Sequence, residues 1–164
     1  MMKRSRIFVP MAAALLTAAF AGSAAAQKLV PFSGSLQAQE PSVFQGPPPG
    51  FLLVTGSGGG VASHLGRFTI TWNYTVNLAD RTGSGTLVFT AANGDQVFAT
   101  AAGEAEPTNT PGVSRIHEEF TITGGTGRFL NAQGNVTSER LTDQNTSFTS
   151  GSFHGTITSP GSTK

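Results

Sequence analysis

Histidine has the widest chemical range of the residue types in this chain, and it occurs as His64, His117 and His154. A zinc site needs about three protein ligands that meet at one point. The three histidines lie on separate predicted strands or loops, and no His-x-His or His-Glu-x-x-His motif brings two of them together. Because the chain has no cysteine, thiolate ligands and thiolate nucleophiles are excluded. We expect single histidines at the surface or rim of the fold, with no metal and no cofactor.

Serine and carboxylate groups give no hydrolase pattern either. Ser63 precedes His64, but neighbours on a strand point to opposite faces. The same geometry separates Glu118 from Glu119, so these two do not form a paired-carboxylate site by themselves. No Gly-x-Ser-x-Gly motif is present. General acid–base chemistry inside the fold stays open. The candidate acid or base is His64, Glu104 or Glu119, and its candidate partner is Tyr74 or Arg115.

Large aromatic side chains suggest a second kind of site, an apolar pocket. The pocket candidates are Phe68, Trp72, Tyr74, Phe89, Phe120 and Phe129. Ligand pockets are lined mainly by such side chains, with a few polar groups. Eight-stranded barrels are just wide enough either to fill their interior with side chains or to hold one small ligand. A small apolar ligand and a packed interior are therefore both compatible with these residues.

The strands that must position these side chains are predicted from alternation. In Arg67–Leu78, bulky residues occupy every second position, which indicates a long strand. Asn93-Gly94 favours a tight turn between strands at 86–90 and 95–102, and residues 82–85 connect the long strand to this hairpin. Further strands are predicted at 31–39, 51–56, 113–123, 134–142 and 146–158, with turn-rich or loop segments at 41–50 and 106–112.

This pattern predicts an all-β fold, a sandwich or antiparallel barrel of about eight strands. Polar and apolar residues alternate within Val113–Thr123, where Ile116, Phe120 and Ile122 share one face and Arg115, His117 and Glu119 share the other. If the apolar faces point inward, Tyr74 is the only ionisable candidate inside. We therefore expect a mainly apolar interior with no cluster of two or more ionisable side chains.

One segment resembles a known superfamily. Gly124-Gly125-Thr126-Gly127, followed by Phe129 and Gly134, resembles the Gly-Gly-Thr/Ser-Gly signature of allene oxide cyclases and dirigent proteins. The segments Ser63–Thr69 and Asn93–Asp95 are similar to exported bacterial members with an allene oxide cyclase barrel-like domain. The resemblance implies an eight-stranded antiparallel barrel whose cavity either catalyses a cyclisation or steers reactive intermediates. The family's functional residues lie outside the motif, and none is carried over.

The same motif has a steric interpretation. Its glycines allow a sharp turn or bulge, Phe129 can enter the interior, and Gly134 lets the next strand pass closely. Gly124, Gly125, Gly127, Phe129 and Gly134 are accordingly predicted to be structural. No Lys-Ser or Lys-Thr follows the glycines, so the motif does not match a phosphate-binding loop.

The first 26 residues have the pattern of a secretory signal peptide. Lys3, Arg4 and Arg6 precede an apolar run to Phe20, and Ala24-Ala25-Ala26 provides a cleavage site. We predict removal of residues 1–26, export to the periplasm or the extracellular space, and a single domain over residues 27–164, without a membrane span. Three of the ten Lys and Arg residues and none of the nine Asp and Glu residues lie in 1–26, so cleavage changes the net charge from +1 to −2. This balance, with the remaining arginines scattered singly, disfavours nucleic-acid binding.

Three functions remain compatible with the sequence. The first is a non-catalytic barrel that binds a small apolar ligand or acts as an accessory module. The second is a cyclase- or isomerase-like enzyme, as the resemblance implies. The third is a structural or surface-association domain. The absence of an evident acid, base or metal constellation places them in this order.

Overall fold

A computed structural model describes residues 28–161, which form nine β-strands and one turn of 3-10 helix at Gly127–Phe129. The predicted signal peptide lies outside the described residues. The strands are β1 (Leu29–Gln39), β2 (Ser42–Gln45), β3 (Phe51–Ala62), β4 (Gly66–Asn77), β5 (Thr82–Ala91), β6 (Gln96–Pro107), β7 (Val113–Gly125), β8 (Gly134–Asp143) and β9 (Phe148–Thr158).

The strands close into an antiparallel barrel. From β3 to β9 each strand pairs with the next, and β1 pairs with both β9 and β3, which closes a ring of eight strands within the described residues. β2 lies outside this ring and pairs with the first residues of β3, beyond the part that β1 covers. The predicted all-β, eight-stranded antiparallel barrel is confirmed, with β2 as one extra strand.

Glycine-rich segments account for the main errors in the predicted strand boundaries. Residues 57–62 continue β3, and 82–85 belong to β5 rather than to a connection. Glycine in these strands makes room for large neighbours. A Cβ on Gly56 would overlap the Trp72 ring, and one on Gly85 would overlap the backbone of Asn73 and the ring of Tyr74. Gly56, Gly60 and Gly85 are therefore paired strand positions opposite Trp72, Phe68 and Tyr74, and not turn signals.

The predicted turn-rich segment 41–50 also contains a strand, contrary to expectation. Ser42–Gln45 pairs in antiparallel register with Phe51–Val54, so only the proline-containing part between them forms the turn. The predicted Asn93-Gly94 turn joins β5 to β6, and the Gly94 N–H donates to the Ala91 carbonyl. β6 extends to Pro107, beyond the predicted end at residue 102.

One end of the barrel is filled by aromatic packing. Ring centroids of Phe32 and Phe153 lie 5.3 Å apart, as do those of Phe68 and Phe89, while Phe89 and Phe153 are 5.5 Å apart. Phe68 begins the inward face of β4 and Tyr74 lies six residues further along it, roughly 20 Å away at the rise of a β-strand. The interior near Tyr74 is different in character and forms the candidate site.

Candidate binding site at one end of the barrel

A cavity of about 110 Å3 lies inside the end of the barrel opposite the phenylalanine cluster. A wider vestibule of about 340 Å3, between the β4–β5, β6–β7 and β8–β9 turns, shares several lining residues with it. Small inward residues on β5 and β6 leave this space open. They are Gly83, Ala101, Gly103 and Ala105. Apolar side chains complete most of the wall: Leu52, Val54, Val76 and Ile116.

The floor of the cavity is polar, and strand parity explains which residues reach it. Glu118 has the same parity on β7 as the buried Phe120, and Arg140 has the same parity on β8 as Val136. Glu40 follows β1 and continues the inward series of that strand. All three side chains are at least 93% buried, with exposed fractions of 7% for Glu40, 5% for Glu118 and 6% for Arg140. With Thr142 and Thr149, they form what we name the Arg140 cluster.

Arg140 is the centre of this cluster. Its Nε donates to Glu118 Oε2 and its Nη2 to Glu118 Oε1, each at 3.1 Å, a bidentate pair. Its Nη1 donates to Glu40 Oε2 at 2.7 Å and to Thr149 Oγ1 at 2.9 Å. Thr142 donates its hydroxyl to Glu40 Oε1. The guanidinium is therefore occupied on both sides by carboxylates of the protein.

The charges of the cluster do not cancel. Each of the four carboxylate oxygens of Glu40 and Glu118 accepts a hydrogen bond from a side chain of the cluster. Burial alone would lower the pKa of Arg140, but the charges and hydrogen bonds of Glu118 and Glu40 outweigh it and hold that pKa above its usual value. Two carboxylates around one guanidinium leave a formal charge of −1 at the cavity floor.

Tyr74 provides a neutral polar group beside this charge. Its side chain borders the cavity and its ring stacks on Trp72, with centroids 6.1 Å apart, while the Arg140 guanidinium lies 5.3 Å from the centroid of the Trp72 ring. Burial, and then the negative charge of Glu118, raise the pKa of Tyr74 well above its ordinary value. Within residues 28–161 the Tyr74 hydroxyl has no hydrogen-bond partner, so it is available to a guest molecule.

The six pocket candidates of the sequence all lie in one buried hydrophobic core. Tyr74 borders the cavity. The other candidates, Phe68, Trp72, Phe89, Phe120 and Phe129, pack in the interior away from its lining. Of these, Trp72 contacts two residues of the site, Tyr74 and Arg140.

The expectation of an interior without an ionisable cluster is wrong, since Glu40, Glu118 and Arg140 are buried together. The acid–base candidates taken from the sequence do not meet inside the barrel. His64, Arg115, His117 and Glu119 are exposed, and Glu104 lies at the cavity rim. His117 and Glu119 lie on the outward face of β7, 3.9 Å apart between Nε2 and Oε1. The inward neighbour Glu118 is the residue that reaches the interior.

The glycine motif lies at the other end of the barrel. Gly127 has φ +56°, a conformation that glycine adopts without strain, and a Cβ there would overlap the Asp95 carboxylate. Phe129 is almost fully buried in the core. A Cβ on Gly134 would overlap the carbonyl oxygen of Thr156. Gly124 and Gly125 pair with Phe98 and Val97 beside a bulge between β6 and β7.

Over residues 28–161, no group of three His, Asp or Glu side chains is placed to hold a metal ion. No helix within that range has the length and hydrophobicity needed to cross a membrane. In comparisons with known proteins, no family model, no curated protein and no solved structure matches this chain.

Proposed function

We propose that this protein binds a small molecule with an apolar body and one polar group, which enters the barrel at the end opposite the glycine motif. The observation that carries this proposal is the half-open cavity with apolar walls above a buried polar floor. Ligand pockets have this composition, because apolar walls supply affinity and a few polar groups fix orientation. The apolar body would lie against Val54, Val76 and Ile116, and the polar group would face Tyr74.

The contrast between the two ends of the barrel supports a role beyond packing. Phenylalanines fill the interior at one end, so the eight-stranded barrel can accommodate a well-packed apolar core. At the cavity end, glycine and alanine occupy the corresponding inward positions of β5 and β6. A buried ion cluster contributes less to stability than apolar side chains of similar volume. Selection for stability alone would not favour this combination of empty space and buried charge.

The test blocks the cavity from within and uses an outward neighbour as a control. Ala105 lines both the cavity and the vestibule, whereas the adjacent Glu106 is exposed and borders neither. We expect octan-1-ol, titrated by calorimetry, to bind the unmodified protein and Glu106→Phe equally, and Ala105→Phe at least tenfold more weakly. Equal affinity in both variants, or no binding to the unmodified protein, would contradict the proposal.

An enzymatic role is the second candidate, and the Arg140 cluster is the observation that favours it. A cyclase or isomerase needs a buried group that moves a proton or stabilises developing charge. Glu118 and Tyr74 border the cavity and are of suitable chemical type. Turnover of an unsaturated fatty-acid epoxide, followed by mass spectrometry, would establish this role if Glu118→Gln abolishes it and Glu119→Gln does not. We expect no turnover.

We also propose that the protein acts outside the cytoplasm, after removal of residues 1–26. The charged, apolar and small-residue regions of the N-terminal sequence support this. Intact-mass analysis of the protein recovered from its host should give a chain that begins at Gln27. Recovery of the full-length chain from the membrane fraction would refute the proposal.

A further inference from the structure

Positive and negative charges are distributed unevenly around the cavity. Among the described residues, the ionisable side chains that line it are Glu40, Glu118, Arg140 and Tyr74 in the interior, with Arg81 and Glu104 at the rim. Arg81 and Glu104 balance each other at the entrance. Glu40 and Glu118 outnumber Arg140 at the floor.

Arg140 is poorly placed to bind an acidic ligand. A guanidinium recognises a carboxylate through two parallel N–H donors, and here Nε and Nη2 already donate to Glu118. The opposite side, Nη1, donates to Glu40 and Thr149. A ligand carboxylate would have to displace a protein carboxylate or remain unpaired next to a net negative charge.

Tyr74 favours a ligand whose polar group is not a carboxylate. Its hydroxyl has no partner within residues 28–161, and the residue is 92% buried with 8% of its surface exposed. A phenol donates a hydrogen bond to a carbonyl or hydroxyl oxygen and accepts one from a hydroxyl or an ammonium group. An ammonium group would in addition be attracted by the surplus negative charge of the floor.

We propose that this site selects ligands whose polar group is neutral or cationic and discriminates against carboxylates, because Glu40 and Glu118 outnumber Arg140 beneath it. The inference rests on the proposed binding function and narrows its ligand class. Alcohols, ketones and amines with an apolar body fit this chemistry. Free fatty acids in their ionised form do not.

Three ligands with the same alkyl chain test this selectivity near neutral pH: octan-1-ol, octylamine and octanoate. We expect octylamine to bind at least as tightly as octan-1-ol, and octanoate at least tenfold more weakly than the alcohol. Binding of the alcohol together with equally tight binding of octanoate would overturn the inference while leaving the binding function intact. Failure of all three to bind would overturn both.

Charge variants identify the groups responsible. Glu118→Gln keeps the shape of the side chain and neutralises the floor, so the affinity of octanoate relative to octan-1-ol should rise at least threefold. The control Glu119→Gln removes the same charge from the outer face of β7 and should leave this ratio unchanged. In Glu40→Gln/Glu118→Gln the floor carries +1, and octanoate should then bind more tightly than octylamine. If Glu118→Gln folds and its affinity for octanoate relative to octan-1-ol is unchanged, the electrostatic origin of the selectivity is refuted. The comparison of the three ligands on the unmodified protein does not require any variant to fold.

Discussion

Arg140 contacts Glu118 diagonally across the β7–β8 pair. The backbone register places Arg140 directly opposite Ile116, yet its guanidinium reaches the next inward residue, Glu118, through two hydrogen bonds of 3.1 Å. Diagonal neighbours on one sheet face lie within reach of long side chains. This contact places the positive charge between Glu118 and Glu40, so that the two carboxylates can be buried together.

Removal of the guanidinium should be highly destabilising. Arg140→Met keeps much of the side-chain volume but leaves Glu40 and Glu118 buried without a counter-charge. Breaking a buried ion pair in this way costs about 3–5 kcal/mol. We expect the free energy of unfolding in urea to fall by about that amount. The matched control is Arg115→Met on the outward face of β7, which should change it by less than about 0.5 kcal/mol. Comparable losses in both variants would contradict a structural role for the cluster.

Tyr74→Phe should separate binding from stability. The Tyr74 hydroxyl has no partner within the described residues, so its removal should change the unfolding free energy by less than about 0.5 kcal/mol. Because Tyr74 lines the cavity, loss of its hydroxyl should lower the affinity for octan-1-ol several-fold. Calorimetry and urea denaturation on the same preparations provide the two measurements. Unchanged affinity would mean that the ligand does not use this hydroxyl.

The sequence contains part of the information needed to find this site. The alternation of Ile116, Phe120 and Ile122 puts Glu118 on their face, so parity alone could have identified it as an inward carboxylate. Arg140 gives no such signal, because its inward neighbours Ser138 and Thr142 are polar and β8 shows no clear apolar face.

The contact between Glu40 and Arg140 could not be predicted at all. The two residues are 100 positions apart in the chain and come together only through the closure and register of the barrel. The alternation of bulky and polar residues in β4 and the Asn93-Gly94 turn were predictable because both signals are local. Residues 57–62 of β3 and 82–85 of β5 were not, since the fit of Gly60 to Phe68 and of Gly85 to Tyr74 is a tertiary contact.

The glycine motif can be tested at Gly127. Gly127→Ala forces alanine into φ +56° and places its Cβ against the Asp95 carboxylate. The control Gly66→Ala has a similar φ of +68° but open space around the Cβ, so it isolates the backbone cost, about 1–2 kcal/mol. We expect Gly127→Ala to lose more stability than Gly66→Ala, because the Asp95 carboxylate must also move and its hydrogen bond from the Arg128 backbone N–H is disturbed. Equal melting temperatures for the two variants would show that the contact with Asp95 does not affect stability.

Asp95 should contribute to the pH dependence of stability. A hydrogen bond from the Asn93 side chain, followed by one from the Arg128 backbone N–H, holds the pKa of Asp95 below its ordinary value. Since the folded state favours the ionised form, this contribution is fully present above the unfolded-state pKa and is lost as the pH falls through the folded-state pKa.

The measurement is urea denaturation of the unmodified protein and Asp95→Asn over a range of pH. We expect the variant to be less stable near neutral pH and the difference to shrink steadily as the solution becomes strongly acidic. A difference that does not depend on pH would assign the effect of the substitution to lost packing rather than to charge.

The position of β1 between β9 and β3 has a consequence for the order of folding. β1 is the first strand of the described chain and β9 is the last, so no run of consecutive strands closes the ring before the final one is available. Pairing across such a sequence separation is slow, and it leaves open sheet edges exposed until it occurs. The Arg140 cluster shares this requirement, since Thr142 and Glu40 are 102 residues apart. A chain shortened before β9 would therefore lack the closed floor of the cavity as well as the last strand, and ligand binding would report on whether the barrel had been completed.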